Sequence, residues 1–180
     1  MLITPDTELR RAVADDARAL AEAVVRNREF MAPWEPYRTE EYYTEREQAA
    51  RIAEPGGAMW LLFDRSSGGR VVGRVALNGI HLGPLCSANL GYWVDAEYRG
   101  RGLVPAAVEE VCRAARDELD LHRVEAGTLV DNVASQRVLA KCGFVRYGLA
   151  PKYLHINGEW RDHVLFQRLL HDEPPAYARP

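Results

Sequence analysis

The sequence predicts an α/β domain: a single mixed, mostly antiparallel sheet of about seven strands with flanking helices. Three observations carry this reading. Strand-like runs at residues 59–64, 70–80 and 87–94 follow one another with only short connections, as in an antiparallel meander. From residue 103 onward helical and strand patterns alternate, which requires crossovers at the back of the sheet. The chain has 180 residues, of which 47% are apolar and 27% charged, so it can bury one core and form one domain.

The elements justify themselves in order. A short strand at 8–12 opens the domain. Asp15 and Asp16 then precede an Ala-rich helix to about residue 28, whose Ala17, Leu20, Ala21, Val24 and Val25 follow helical spacing. Phe30 to Tyr37 reads as an aromatic loop broken by Pro33 and Pro36. A polar helix at about 39–53 ends near Pro55-Gly56-Gly57. After the first of the three strands, Ser66-Ser67-Gly68-Gly69 makes a turn. The alternating half reads as helix 103–119, strand 123–129, helix 132–141 and strand 144–156. Asn157-Gly158 is a hairpin turn, and strand 160–169 closes the domain. Residues 1–170 form the domain, and 171–180, with three prolines, read as a flexible tail.

Composition excludes several classes. A net charge of −3 supplies no basic field for a nucleic acid backbone, so direct nucleic-acid binding is not expected. The uncharged window 75–94 alternates like strands and contains Pro84 and three glycines, so no membrane span is expected. No apolar run follows the first residues, so no signal peptide is read, and the chain is expected in the cytoplasm. Cys86, Cys112 and Cys142 are too far apart for a metal motif and read as buried reduced thiols; no metal is expected.

The informative segment follows the third central strand. Gly91-Tyr92-Trp93-Val94 runs into a turn with Arg99, Gly100, Arg101 and Gly102, and then into a helix beginning Leu103-Val104-Pro105. A helix start presents free N–H groups and the positive end of its dipole, a natural anion site. Glycines admit an anion close to the backbone, and arginines add fixed charge. The turn lacks the P-loop pattern and the third glycine of a dinucleotide fingerprint. A solvated helix cap is the alternative. A second motif has Asp131-Asn132-Val133-Ala134-Ser135 starting a helix that ends in Lys141-Cys142-Gly143-Phe144.

Together these motifs resemble the GNAT superfamily of N-acetyltransferases, over about residues 8–170. The family's R/Q-x-x-G-x-G/A turn is matched by Arg99-x-x-Gly102-x-Val104, with valine where a small residue is usual. Its N-x-x-S/A and K-x-G-F elements are matched by Asn132, Ser135, Lys141, Gly143 and Phe144. The Pro33-Trp34 loop, Gly91-Tyr92-Trp93 and Trp160-x-Asp162-His163-x-Leu165 are similar to the Rim-type branch, which acetylates ribosomal-protein N-termini.

The resemblance implies the GNAT fold and an acetyl-CoA-dependent N-acetyltransferase acting on a primary amine, foremost the N-terminus of a protein or peptide. A small-molecule amine or antibiotic acceptor, and a non-catalytic acyl-CoA-binding protein, are the alternatives; a homodimer is left open. It implies that residues 99–104 (Arg99, Gly100, Arg101, Gly102, Leu103 and Val104) hold the diphosphate. Asn132 and Ser135 would meet the pantetheine arm, and a backbone N–H near Trp93 or Val94 would polarise the carbonyl. Many family members carry a Tyr seven residues after the motif's Asn as general acid; here that position is Leu139, and the likeness to the Rim-type branch implies Ser135 as the acid, with capping of its own helix or binding of the pantetheine arm as the alternative role. His155, with Glu159 as the carboxylate alternative, is the expected base. His155 should lie opposite Trp160, while His163 should face the other side of the ribbon and read as structural. Phe30, Trp34 and Tyr37 would line the acceptor pocket, with Glu35, Glu40 and Glu41 attracting a cationic amine.

Overall fold

A computed structural model describes residues 1–175 and 178. Eight strands form one sheet in the order β1-β2-β3-β4-β5-β6-β8-β7. They are β1 (Leu2–Thr4), β2 (Thr7–Arg11), β3 (Ala58–Asp64), β4 (Arg70–His81), β5 (Ser87–Val94), β6 (Arg123–Leu129), β7 (Val145–Ile156) and β8 (Glu159–Leu169). The helices are α1 (Ala17–Arg26), the single turn α2 (Arg28–Met31), α3 (Glu45–Ile52), α4 (Leu103–Asp117) and α5 (Val133–Lys141).

β1 is the strand that the sequence did not announce. It holds three residues, and its pairing with β2 is closed by the Met1 ammonium donating to the Leu9 carbonyl at 2.8 Å. Strands β2 to β5 form the expected meander. Among the described residues, only β5 and β6, joined over the sheet by α4, are hydrogen-bonded in parallel. After α5, β7 runs to the sheet edge and β8 returns between β6 and β7, antiparallel to both. The second crossover therefore skips a strand.

Two helical readings need correction. The polar helix expected at 39–53 is broken: Glu40–Tyr43 is a 3-10 turn, and Thr44 then caps α3 by accepting from the Glu47 N–H. The aromatic loop is largely helical, since α2 and a 3-10 turn at Ala32–Trp34 follow α1, and Pro33 sits where its missing N–H costs nothing. Of the tail, His171 is tied down by its carbonyl, 2.6 Å from the Nδ1 of His122; residues 176, 177, 179 and 180 lie outside the described residues.

The sheet buries both faces, and all seven residues of β3 are buried. One face packs Leu62, Val75, Leu77 and Leu90 against Val108, Val111 and Ala115 of α4 and Leu139 of α5. The other packs Leu61, Phe63 and Trp93 against Leu20 and Val24 of α1 and Met31 of α2. The i, i+3, i+4 apolar stripes of α1 and α4 explain why both form and which side they bury.

β5 pairs with β6 only from Ser87↔Arg123 to Asn89↔Glu125, although both strands continue. Beyond Asn89 they splay, and that gap positions everything that follows. The other edge of β5 stays zipped to β4 as far as Gly73↔Val94. Gly73 is required there, because a Cβ would stand 2.9 Å from the Trp93 carbonyl oxygen.

Candidate active site

The splay opens a cleft of about 660 Å³ that runs through the sheet from the α4–α5 face to the α1–α2 face. On the α4 side its wall is the glycine turn. Asp95 and a 3-10 turn at Ala96–Tyr98 lead into Arg99 and two glycines at φ +75°, a left-handed conformation that side chains resist. Gly102 caps α4 with no side-chain bond, and among the described residues no acceptor meets the N–H groups of Leu103 and Val104. Nothing lies within 4 Å of a Cβ built at Gly100 or Gly102. Arg99 and Arg101 donate only to the carbonyls of Ala96 and Glu97, and their guanidiniums cover the rings of Phe30 and Tyr98, so neither charge is neutralised by a carboxylate. Unbonded amides, open space and unneutralised cations fit a diphosphate. Val104 is half-buried and packs against the core.

A dense network holds this turn in place. The buried Asp95 accepts from Arg26 at 2.7 Å and Arg70 at 3.1 Å, while the Asn27 carboxamide accepts from the Ala96 N–H. The Tyr98 phenol donates to Asp64. Burial alone would raise the pKa of Asp95, but the hydrogen bonds from Arg26 and Arg70 win and hold it below the usual carboxylate range.

At the floor, β5 supplies the donor. The Asp95 N–H bonds to the Val72 carbonyl on β4, so by strand alternation the Val94 N–H points the other way, into the gap. Across it, the Asn132 carboxamide oxygen caps α5 by accepting from the Ser135 N–H at 3.0 Å, and its NH2 group remains available. The Ser135 hydroxyl lies 2.7 Å from the phenol oxygen of Tyr92, a β5 side chain on the same face as α5. Burial pushes the Tyr92 phenol up to about 12, so it stays protonated.

The far wall differs from expectation. Phe30 and Trp34 line the cleft, with Glu35 beside them, whereas Tyr37 is 82% exposed and outside it. His155 and Glu159 also lie outside the lining. They sit at the tip of the β7–β8 ribbon, where His155 pairs with Trp160 as expected and their rings meet edge to face at 5.5 Å. The imidazole in the cleft is instead His163, 4% exposed, with Nδ1 3.0 Å from the Arg161 carbonyl oxygen. That bond makes Nδ1 the protonated nitrogen and leaves the Nε2 lone pair unused. The parallel register puts His163 at the right height: four residues beyond Asn89↔Glu125, Trp93 is level with Leu129, and Leu129 pairs with His163. Arg74 of β4, paired with Trp93, and Tyr92 also line the cleft, a placement the sequence did not show.

The cysteines are all buried free thiols; burial raises Cys112 to about 12 and Cys142 to about 11, so these two stay protonated near neutral pH. Among the described residues, no helix is long and apolar enough to cross a membrane, and no cluster of three metal-binding side chains occurs.

Residues 6–145 match the family described as "Acetyltransferase (GNAT) domain". A ribosomal protein uS5-alanine N-acetyltransferase of Escherichia coli is 33% identical over 182 residues, covering 97% of this chain and 93% of that protein. Among solved structures, the ribosomal-protein-S5-alanine acetyltransferase of Vibrio fischeri superposes with a TM-score of 0.90 at 31% identity, covering 96% of this chain and 97% of that one. The RimJ of Mycobacterium smegmatis, solved in complex with a CoA-disulfide, superposes with a TM-score of 0.81 at 26% identity, covering 91% of this chain and 81% of that one.

Proposed function

Since this chain belongs to the GNAT acetyltransferases and is an acetyl-CoA-dependent N-acetyltransferase, we propose that its acceptor is the N-terminal α-amine of a protein, of the kind that ribosomal proteins present. The observation that carries the reading is the cleft itself, which runs through the sheet with cofactor-type groups on one face and a broad acceptor wall on the other. Likeness along nearly the whole chain to proteins named for acetylating a ribosomal-protein alanine supports it. Such acceptors are made in the cytoplasm, and the reading puts the enzyme there. The exposed apolar side chains of the β7–β8 ribbon, among them Tyr147, Leu149, Leu154 and Trp160, favour a homodimer through that ribbon.

The roles follow from position. Acetyl-CoA supplies, when bound, the thioester whose acetyl group is transferred. The Leu103 and Val104 amides, with Arg99 and Arg101, hold the diphosphate, and the Asn132 amide donates along the pantetheine arm. The Val94 N–H donates to the carbonyl oxygen as negative charge grows there. On the α1–α2 face, His163 Nε2 takes a proton from the ammonium of the acceptor, which makes the amine a nucleophile. On the opposite face, the Ser135 hydroxyl, held by the Tyr92 phenol, gives a proton to the thiolate as the C–S bond breaks, and the second proton that the nitrogen loses as the amide forms restores the hydroxyl. Proton uptake and proton return thus stand on opposite faces of one sheet.

The test is a panel of acceptors incubated with acetyl-CoA and read by thiol release and mass. Peptides with a free α-amine should gain one acetyl group at the N-terminus. The same peptides with a blocked N-terminus and an internal lysine should gain none. Acetylation of free diamines with no reaction at peptide N-termini would overturn the reading.

A further inference from the structure

Arg74 is an anomaly. Among the described residues it is the only buried arginine, 9% exposed, and it lines the cleft. Its Nε is buried with no hydrogen-bond partner, and among the described residues no ion pair, hydrogen bond or ring contact engages its guanidinium. The half-buried arginines behave otherwise: Arg26 and Arg70 meet Asp95, Arg123 meets Glu125, and Arg168 meets Glu109. A guanidinium sunk this far without a counter-charge is costly, and more so when a ligand strips the remaining water from it.

Its position says which ligand does so. Arg74 is paired with Trp93, so it stands one strand, about 4.8 Å, from the β5 edge at which the reacting carbonyl would be held. Arg74 and Trp93 face α1 and α2, the acceptor face, where Phe30, Trp34, Glu35 and His163 also open on the cleft. An acceptor whose amine meets His163 therefore brings its neighbouring groups within reach of Arg74. A diamine would set an ammonium or a hydrocarbon against the guanidinium. A carboxylate would answer it with two parallel hydrogen bonds, the geometry that the planar fork favours.

Building on the N-terminal acetyltransferase reading, we propose that Arg74 is a specificity-determining residue of the acceptor subsite, binding a carboxylate carried by the residue with the reacting amine or by the one after it. In a polypeptide acceptor that group is an Asp or Glu side chain at the first two positions. In a free amino acid it would be the α-carboxylate.

The experiment measures kcat/KM with matched pairs: peptides carrying Asp or Glu in the first two positions against their Asn or Gln counterparts, and free amino acids against their amides. The native enzyme should prefer the acidic peptide by about 10- to 100-fold, the worth of a charge-assisted bond. In R74M the two members of each pair should become equal. In R74K, which keeps the charge and loses the fork, the preference should fall severalfold without vanishing. Equal rates on acidic and amide peptides with the native enzyme, or a preference that survives in R74M, overturn the role of Arg74 and leave the N-terminal reading standing. Turnover of free amino acids alone, preferred over their amides and levelled in R74M, upholds Arg74 and overturns the peptide reading. Turnover of carboxylate-free diamines alone overturns both. Should R74M melt out, the native ratio and its fall in R74K decide the matter.

Discussion

Ser135 and Tyr92 share a hydrogen bond, and His163 stands across the sheet from them, so the two proton steps are separable by mutation. Replacing Ser135 with alanine should lower kcat by about 10²–10⁴-fold while the KM for acetyl-CoA stays within a few-fold. A loss confined to that KM would make Ser135 a cofactor contact only. His163→Gln should lower kcat by about 10²–10⁴-fold while the KM for acetyl-CoA stays within a few-fold; a variant that keeps its turnover would take the base away from His163. The placement of Asn132 and Ser135 was legible in the sequence, because a cap motif fixes them to the start of a helix. The choice between His155 and His163 was not. Alternation counted back from Asn157-Gly158 correctly pairs His155 with Trp160, but it cannot say which side of the ribbon opens on the cleft. An irregularity between Ala150 and Leu154, with Lys152 at φ +48° bonded to Asp162, further uncouples the ribbon tip from the strand below it.

The turn before α4 and the splay of β5 from β6 are the elements that make a site of this sheet. Gly102→Asp tests the turn. The space at Gly102 is open, and the cost of placing an L-residue at its positive φ is about 1–2 kcal/mol, so the variant should fold with a modestly lower Tm. Its carboxylate would stand against the diphosphate, and coenzyme A affinity should fall at least 100-fold by calorimetry. Unchanged affinity would remove the turn from the site. This element was readable because glycines, arginines and a helix start lie within a few residues of one another. The break at Thr44 was missed for the opposite reason: Glu40 to Ile52 is helix-compatible throughout, and only the Thr44 cap and the Gln48 carboxamide bonded to the Tyr42 carbonyl show where the chain restarts. β1 was missed because three residues before Pro5 carry too little pattern to read.

The molecule as a whole depends on carboxylates that fasten the site to the α1 side of the sheet. Asp64 is held below the usual aspartate range by the Ser66 hydroxyl and the Tyr98 phenol, and Asp95 by Arg26 and Arg70 against the effect of burial. Asp16 is likewise lowered, its bonds to Arg10 outweighing burial. Each binds a proton less readily folded than unfolded, so its stabilisation is present above the ordinary aspartate value of about 4 and is lost as the pH falls below it. The Tm should thus hold between pH 7 and 5 and drop below about 4. Asp95→Asn, which leaves two arginines facing a neutral group, should cost about 3 kcal/mol in urea denaturation and flatten part of that drop. A variant as stable as the native chain would show the network to be ornamental. The meander and the alternation made the layered α/β plan legible in the sequence. The insertion of β8 between β6 and β7 was not, since strand order depends on packing between distant residues.

The central claim is that main-chain amides at the start of α4 receive the diphosphate and thereby place the thioester against the Val94 N–H. A crystal structure of the coenzyme A complex tests it most directly. Diphosphate oxygens within hydrogen-bond distance of the Leu103 and Val104 nitrogens, with the thiol in the gap beside Trp93, are the result expected. A diphosphate bound elsewhere, with those amides still facing solvent, would contradict it.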